Sequence, residues 1–203
     1  MKTLLTLVML LLFAGMLYPP QTGIARTSKS NKFIPIRAEL HTGDIVFRQG
    51  KGLISEMFRK SSVKHQQYSH AGIIQITEKG VFVSHMIDDA ETKKSNLKTE
   101  SIEEFCNSNE VKSYAVYRYG FLSGKENMVE TYFNNLAIKN VEFDEEFNLD
   151  TDNKLYCTEL IYKMCLTTAN YRLPVSEIKG QPYVALDNLY GDGVADLITE
   201  KKY

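Results

Sequence analysis

Two residues in this chain could together make a thiol nucleophile. Cys157 stands in Leu155-Tyr156-Cys157-Thr158-Glu159-Leu160-Ile161, where the acidic stretch Asp150-Thr151-Asp152-Asn153 gives way to an apolar run. The spacing of Leu160, Ile161, Met164 and Cys165 predicts a helix from Cys157 with those side chains inward. The unpaired N–H groups of a helix N-terminus carry partial positive charge, so they lower a thiol pKa and can hold a developing oxyanion. A thiol becomes a strong nucleophile only as a thiolate, and a neighbouring base makes it so. His70, in Tyr68-Ser69-His70-Ala71-Gly72-Ile73-Ile74, stands where a polar turn becomes an apolar strand. An imidazole there suits a general base that later acts as general acid. Each residue has an ordinary alternative, a small core cysteine or a structural histidine. It is the two together that point to catalysis. Tyr156 could lend its hydroxyl to an oxyanion or simply pack against the sheet.

The order of these segments carries information. Leu40-His41-Thr42-Gly43-Asp44-Ile45-Val46-Phe47 followed by Ser69-His70-Ala71-Gly72-Ile73-Ile74 resembles the strand pair of NlpC-type papain-like amidases. In ordinary members the cysteine block precedes these strands, whereas here Tyr156-Cys157-Thr158-Glu159-Leu160-Ile161 follows them. The chain therefore resembles the circularly permuted branch of that family, from about Leu40 to about Leu166. The resemblance implies a papain-like α+β fold, an antiparallel sheet packed on the helix that carries the cysteine, and thiol chemistry on an amide or ester. It does not choose between peptidase, amidase and acyltransferase, because one fold hosts all three.

The resembling family places a polar residue on the next strand to orient the imidazole, and His85 is the candidate here, with Asp88 as the alternative. Strand side chains alternate between faces. His85 shares a face with His70 only if the hairpin pairs residues whose numbers sum to an odd value. A loop Thr77-Glu78-Lys79-Gly80 pairs Ile76 with Val81 and so sets Gly72 opposite His85. His70 then lies one rung away on the same face, within side-chain reach. A slip of one residue would turn His85 to the other face. A histidine in this role needs its own tautomer fixed.

The remaining elements follow from periodicity. Strands are expected at Ile45–Phe47, Ala71–Thr77, Val81–Ile87 and Tyr114–Tyr119. Leu53, Ile54, Met57 and Phe58 have the spacing of one helix face. Ser101-Ile102-Glu103-Glu104 and Ser123-Gly124-Lys125-Glu126 read as capping boxes, the second opening a helix with Met128, Val129, Tyr132, Phe133, Leu136 and Ala137 on one face. Asp88 to Thr99 is polar and expected to be exposed, Phe143 to Asp152 reads as a loop or edge, and the C-terminal third is loop-rich. Arg59, Lys60 and Lys64 form a basic loop that is either solvated or able to hold a substrate carboxylate or an anionic headgroup.

The chain has 203 residues, 43% apolar and 24% charged, with a formal net charge of −1. That suffices for one domain with a substantial core. Basic residues do not gather over a whole face, so nucleic acid is not an expected partner. Lys2, the apolar run from Leu4 to Leu17, Pro19-Pro20 and Gly23-Ile24-Ala25 read as a secretory signal peptide. The expected organisation is a signal peptide at 1–25, a linker at 26–39 and the hydrolase domain at 40–203. The product would be secreted or periplasmic, or membrane-anchored if the signal stays uncleaved. Three cysteines allow a Cys106–Cys165 disulfide or two buried thiols, of which buried thiols are the favoured reading, and either leaves Cys157 as the reactive one. His65 and His70 do not match zinc spacing, and no metal or cofactor is expected. The expected activity is cysteine-dependent cleavage of an amide, in a cell-wall peptide or an N-acyl lipid, through a Cys157–His70–His85 thioester mechanism. Membrane-surface or cell-wall contact is a possible accompaniment. The alternatives are an acyltransferase and a non-catalytic peptide- or lipid-binding module.

Overall fold

Alternating apolar residues with many β-branched side chains draw the middle of the chain into strands, and longer amphipathic runs flank them as helices. The computed structural model describes residues 39–88 and 96–203. The expected signal peptide and nearly all of the expected linker lie outside the described residues. The elements are β1 (Ile45–Gly50), α1 (Leu53–Lys60), β2 (His70–Thr77), β3 (Gly80–Met86), β4 (Leu97–Ser101), α2 (Ile102–Phe105), β5 (Val111–Arg118), α3 (Glu126–Lys139), β6 (Glu142–Phe143), β7 (Lys154–Leu155), α4 (Cys157–Ala169), β8 (Ser176–Ile178), β9 (Gln181–Tyr183) and β10 (Asp196–Lys202). Among the described residues no helix is long and apolar enough to cross a membrane.

Six strands form one antiparallel sheet in the order β10-β5-β1-β2-β3-β4. One face carries Ile45, Phe47, Ala71 and Ile73 and packs against Leu160, Ile161, Met164 and Cys165 of α4. All eight side chains are fully buried. At roughly 1.5–3 kcal/mol per large apolar side chain removed from water, this contact is a main source of stability, and it fixes α4 across β2. The other face carries Val46, Ile74, Val83 and Val116 and is covered by Ile102, Phe105 and Cys106 around α2. The fold is therefore α+β, with the antiparallel sheet packed on the cysteine-bearing helix.

Local sequence explains where the important elements start and stop. The Ser101 box forms as expected: Glu104 N–H donates to Ser101 Oγ at 3.2 Å, and Ser101 N–H donates to Glu104 Oε2 at 3.0 Å. The Ser123 box does not form. The chain turns left-handed at Gly124 (φ +74°), so α3 begins only at Glu126, and the Ser123 N–H closes a 3-10 turn onto Gly120 O instead. Helix α4 starts after an extended Tyr156, whose N–H donates to Glu159 Oε2 at 3.3 Å. It ends at Asn170 in the left-handed region (φ 51°), a common helix stop.

Several strand assignments differ from the sequence reading: β5 begins at Val111 rather than Tyr114, and the short strands β6 to β9 lie in stretches read as loop or edge. β1 runs on to Gly50, three residues past Phe47, because Gln49 and Gly50 continue to pair with Ser113 and Val111 of β5 after its pairing with β2 ends at Arg48. The tail Asp196–Lys202 pairs with β5, and Leu97–Ser101 pairs with β3. Both are edge strands, with one neighbour to bury against, so their sequences keep many polar residues. The stretch from Asp88 to Thr99 is thus not all exposed loop, and its last three residues belong to a strand.

Candidate active site

The β2–β3 hairpin has the register that brings the two histidines together. Ile76 pairs with Val81 and Ile73 with Ser84, and one further step sets Gly72 opposite His85. The turn itself is tighter than the expected loop, because Thr77 and Gly80 also pair. His70 Nε2 and His85 Nδ1 lie 2.8 Å apart, a direct hydrogen bond. Gly72 makes the approach possible. A Cβ there would lie 2.5 Å from Val83 Cγ1 and 3.2 Å from His85 Cβ. Phe105 covers the pair, its ring 5.8 Å from His70 and 5.1 Å from His85 between centroids.

The partner that fixes His85 is Glu100, on β4, which the sequence reading missed. Its Oε1 lies 3.1 Å from His85 Nε2, and Lys98 Nζ lies 2.6 Å from its Oε2. The His85 N–H and then Lys98 hold the Glu100 carboxyl down at about 2, so it is an ionised acceptor. An ionised carboxylate can only accept, which puts a proton on His85 Nε2 and leaves Nδ1 as an acceptor. His85 Nδ1 then accepts a hydrogen bond from His70 Nε2–H, and His70 Nδ1 is the nitrogen left with a free lone pair. The hydrogen-bond network assigns these tautomers. The available signal was the period-two alternation of Leu97, Thr99 and Ser101 against Lys98 and Glu100. Asp88, the alternative third member, is exposed after β3.

Cys157 is the first residue of α4 and is buried. Burial pushes its thiol up to about 11, while the backbone N–H groups of Ala71, Thr158 and Cys157 itself, then Arg48, pull it down. Ala71 directly follows His70, so the sulfur sits beside the start of β2. The helix N-terminus acts in the expected direction, but desolvation outweighs it. His70 is shifted well below the usual imidazole range by burial, then by His85 and Arg48. Thiol and imidazole are therefore both neutral at rest. Arg48 pairs across the sheet with His70, donates to Phe105 O at 3.1 Å and lies 4.4 Å over the Phe105 ring. Cys106 and Cys165 are free and buried, and burial raises both thiols further than that of Cys157.

Tyr156 is buried, and its hydroxyl accepts the Val184 N–H at 2.8 Å, while Thr158 Oγ1 donates to Val184 O at 2.6 Å. These two bonds clamp the C-terminal loop over the start of α4. Cys157, His70, His85, Glu100 and Tyr156 all border one cleft of about 1070 Å³, whose other walls include Ile54, Met57, Phe58, Phe147, Val184 and Leu186. A buried thiol beside helix N–H donors, with a neutral imidazole in the same cleft, has the parts needed to attack a carbonyl and stabilise the oxyanion.

Comparison with known proteins agrees with this arrangement. A family model described as permuted papain-like amidase enzyme, YaeF/YiiX, C92 family, matches residues 39–188. No curated protein matches the chain. Among solved structures, the crystal structure titled metalloprotein yiiX from Escherichia coli O157:H7 is similar, with a TM-score of 0.63, 15% identity, and coverage of 81% of this chain and 99% of that one. At that identity the likeness shows the fold alone. The metal in that title belongs to that protein. Among the described residues here, no group of three or more His, Cys, Asp or Glu side chains is placed to hold a metal ion, and His70 and His85 turn nitrogens on each other. With a family model covering most of its length, and the cysteine block downstream of the histidine strands, this chain belongs to the permuted papain-like amidases of the C92 family, a family of cysteine peptidases and amidases.

Proposed function

We propose that Cys157 is the nucleophile, His70 the proton carrier and His85 the residue that orients it, in hydrolysis of an amide of a cell-wall peptide or an N-acyl lipid. The observation that carries this reading is the hydrogen-bond chain Glu100–His85–His70, which leaves His70 Nδ1 as the base in the cleft that Cys157 borders. Because both groups are neutral at rest, the proton passes from Sγ to His70 Nδ1 as Sγ attacks the carbonyl carbon. The oxyanion meets the backbone N–H groups at the start of α4. Tyr156 is an auxiliary donor, since a hydroxyl that accepts from Val184 still has its proton to give. His70 then protonates the leaving nitrogen, the C–N bond breaks and a Cys157 thioester remains. Water, deprotonated by His70, attacks the thioester carbonyl; the C–S bond then breaks, His70 returns the proton to Sγ, and the acid leaves with thiol and imidazole restored. Lys2, the Leu4 to Leu17 run and Gly23-Ile24-Ala25 support a secreted or periplasmic place of work.

The test is single-turnover acylation by an activated N-acyl anilide. Cys157→Ala and His70→Ala should each abolish acyl-enzyme formation, and intact mass should place the acyl group on Cys157 in the wild type. Acylation that survives Cys157→Ala would overturn the reading.

A further inference from the structure

The hydrogen-bond chain Glu100–His85–His70 is part of a longer row of side chains. Arg48 of β1 stands directly opposite His70 of β2, and on the next rung Val46, Gly72 and His85 follow one another across β1, β2 and β3. Lys98 of β4 stands opposite His85, and Glu100 stands opposite Val83. Paired residues share a face of the sheet, and so do residues two apart on one strand. Arg48, His70, His85, Glu100 and Lys98 therefore form one row across four neighbouring strands. Val46 places that row on the face covered by α2.

Phe105, the last residue of α2, covers the row. Arg48 grips it twice: the guanidinium carbon lies 4.4 Å from the ring centroid, and Nη1 donates to Phe105 O at 3.1 Å. The same Nη1 lies 3.9 Å from Glu100 Oε1, the oxygen that faces His85. The charged groups that face the two imidazoles are Arg48 from β1 and Glu100 and Lys98 from β4. Lys98 and Glu100 offset each other at 2.6 Å, which leaves Arg48 as the surplus charge. Burial keeps the thiols of Cys157 on α4 and of Cys106 after α2 neutral, and Glu110, just before β5, faces Arg48. A guanidinium does not give up its proton, so its charge is permanent. A permanent cation beside an imidazole disfavours the protonated ring.

We infer that Arg48, braced against Phe105, is a positioning residue that sets a fixed positive charge beside the histidine pair and keeps His70 unprotonated until it takes the Cys157 proton. The same repulsion drives His70 to pass that proton on to the leaving nitrogen. The inference rests on the reading of His70 as the base and adds what keeps that base free.

Two measurements on the full-length protein test it. Ring NMR of the four labelled histidines reads protonation of His70 without any substrate. Single-turnover acylation by the N-acyl anilide, between about pH 4 and 8, reads the base at work. Arg48→Met keeps the stem and drops the charge, Arg48→Gln is neutral but retains a donor for Phe105 O, and Arg48→Lys keeps the charge without the fork. In the Met and Gln variants the midpoint of His70 protonation should rise by about one pH unit, and the acidic limb of the acylation profile should rise with it. Arg48→Lys should restore most of the shift. Thermal melting checks that each variant folds, and if Arg48→Met does not, Arg48→Gln decides. A midpoint unmoved in the neutral variants would overturn the proposal. So would an equal rate loss at every pH with the limb in place, the mark of a structural brace alone, or an Arg48→Lys midpoint that rises as far as that of the neutral variants. A wild type that forms no acyl-enzyme would count against the thiol mechanism, and the ring titration would still decide the part played by Arg48.

Discussion

Glu100→Gln should cost about 10- to 100-fold in acylation rate through its effect on His85. The carboxylate holds two close partners, with Arg48 farther off at 3.9 Å from Oε1. It accepts from His85 Nε2 at 3.1 Å, and it accepts from Lys98 Nζ at 2.6 Å through its other oxygen. A glutamine amide has only one oxygen. Lys98 can only donate, so it claims that oxygen and turns the NH₂ toward His85 Nε2. His85 must then carry its proton on Nδ1 and donate to His70 Nε2. His70 in turn holds its proton on Nδ1, and the base becomes a donor. The wild-type preference rests on one charge-assisted hydrogen bond, about 1.5–3 kcal/mol, and the substitution removes or reverses it. A tenfold to hundredfold loss corresponds to about 1.4–2.7 kcal/mol of barrier, the range expected when the partner of an orienting histidine is lost. Single-turnover acylation of the wild type, Glu100→Gln, His85→Ala and their double mutant measures it. The double mutant should be no worse than His85→Ala alone, because residues acting as one unit are not additive. Lys98→Met in the Glu100→Gln background should recover part of the loss, since the glutamine oxygen is then free to turn to His85. A silent Glu100→Gln, two losses that multiply, or no recovery with Lys98→Met would refute the reasoning.

Other perturbations probe the same framework. Iodoacetamide should label Cys157 before Cys106 or Cys165, at a rate that climbs about tenfold per pH unit above neutral, as for a thiol pushed up to about 11; a plateau below pH 7 would mean a preformed thiolate–imidazolium pair. Gly72→Ala should lower stability by about 1–3 kcal/mol and impair acylation, because its Cβ meets Val83 and His85. Val83→Ala should restore part of the melting temperature, and an unaffected Gly72→Ala would show that the hairpin has room to spare. Glu159 is fully buried, and its carboxyl is raised by desolvation to about 7. Between pH 4.5 and 7 the unfolded chain has released this proton and the folded chain keeps it, so stability falls as pH rises through that window. Glu159→Gln should remove that fall and melt higher than wild type at pH 8, by the equivalent of roughly 1–3 kcal/mol. Equal pH dependence of melting in the two proteins would remove Glu159 as its source.

The sequence by itself determined the elements whose signals are local and complete. Helix α4 has its apolar period and its starting acid at Glu159. The hairpin has a turn flanked by β-branched runs, and the expected loop at Thr77–Gly80, which pairs Ile76 with Val81, sets a register that puts His85 on the face of His70. The order of the histidine and cysteine blocks sufficed to indicate the permuted fold. What the sequence did not reveal depends on neighbours distant along the chain. β4 and β10 are edge strands whose polar residues resemble loop, and only pairing with β3 and β5 makes them strands. Glu100 became a partner of His85 because β4 lies beside β3, a contact no spacing announces. The protonation of the site was equally a tertiary matter. The sequence offered helix N–H groups to lower the Cys157 pKa, but the depth of burial, which only packing sets, raises it instead. The direction of α1 was decided the same way. The apolar period of Leu53, Ile54 and Met57 specifies an amphipathic helix, yet in the fold these side chains stay exposed while Ser55 lies against Gly50 of β1, because a periodic pattern defines a face but not what lies opposite it.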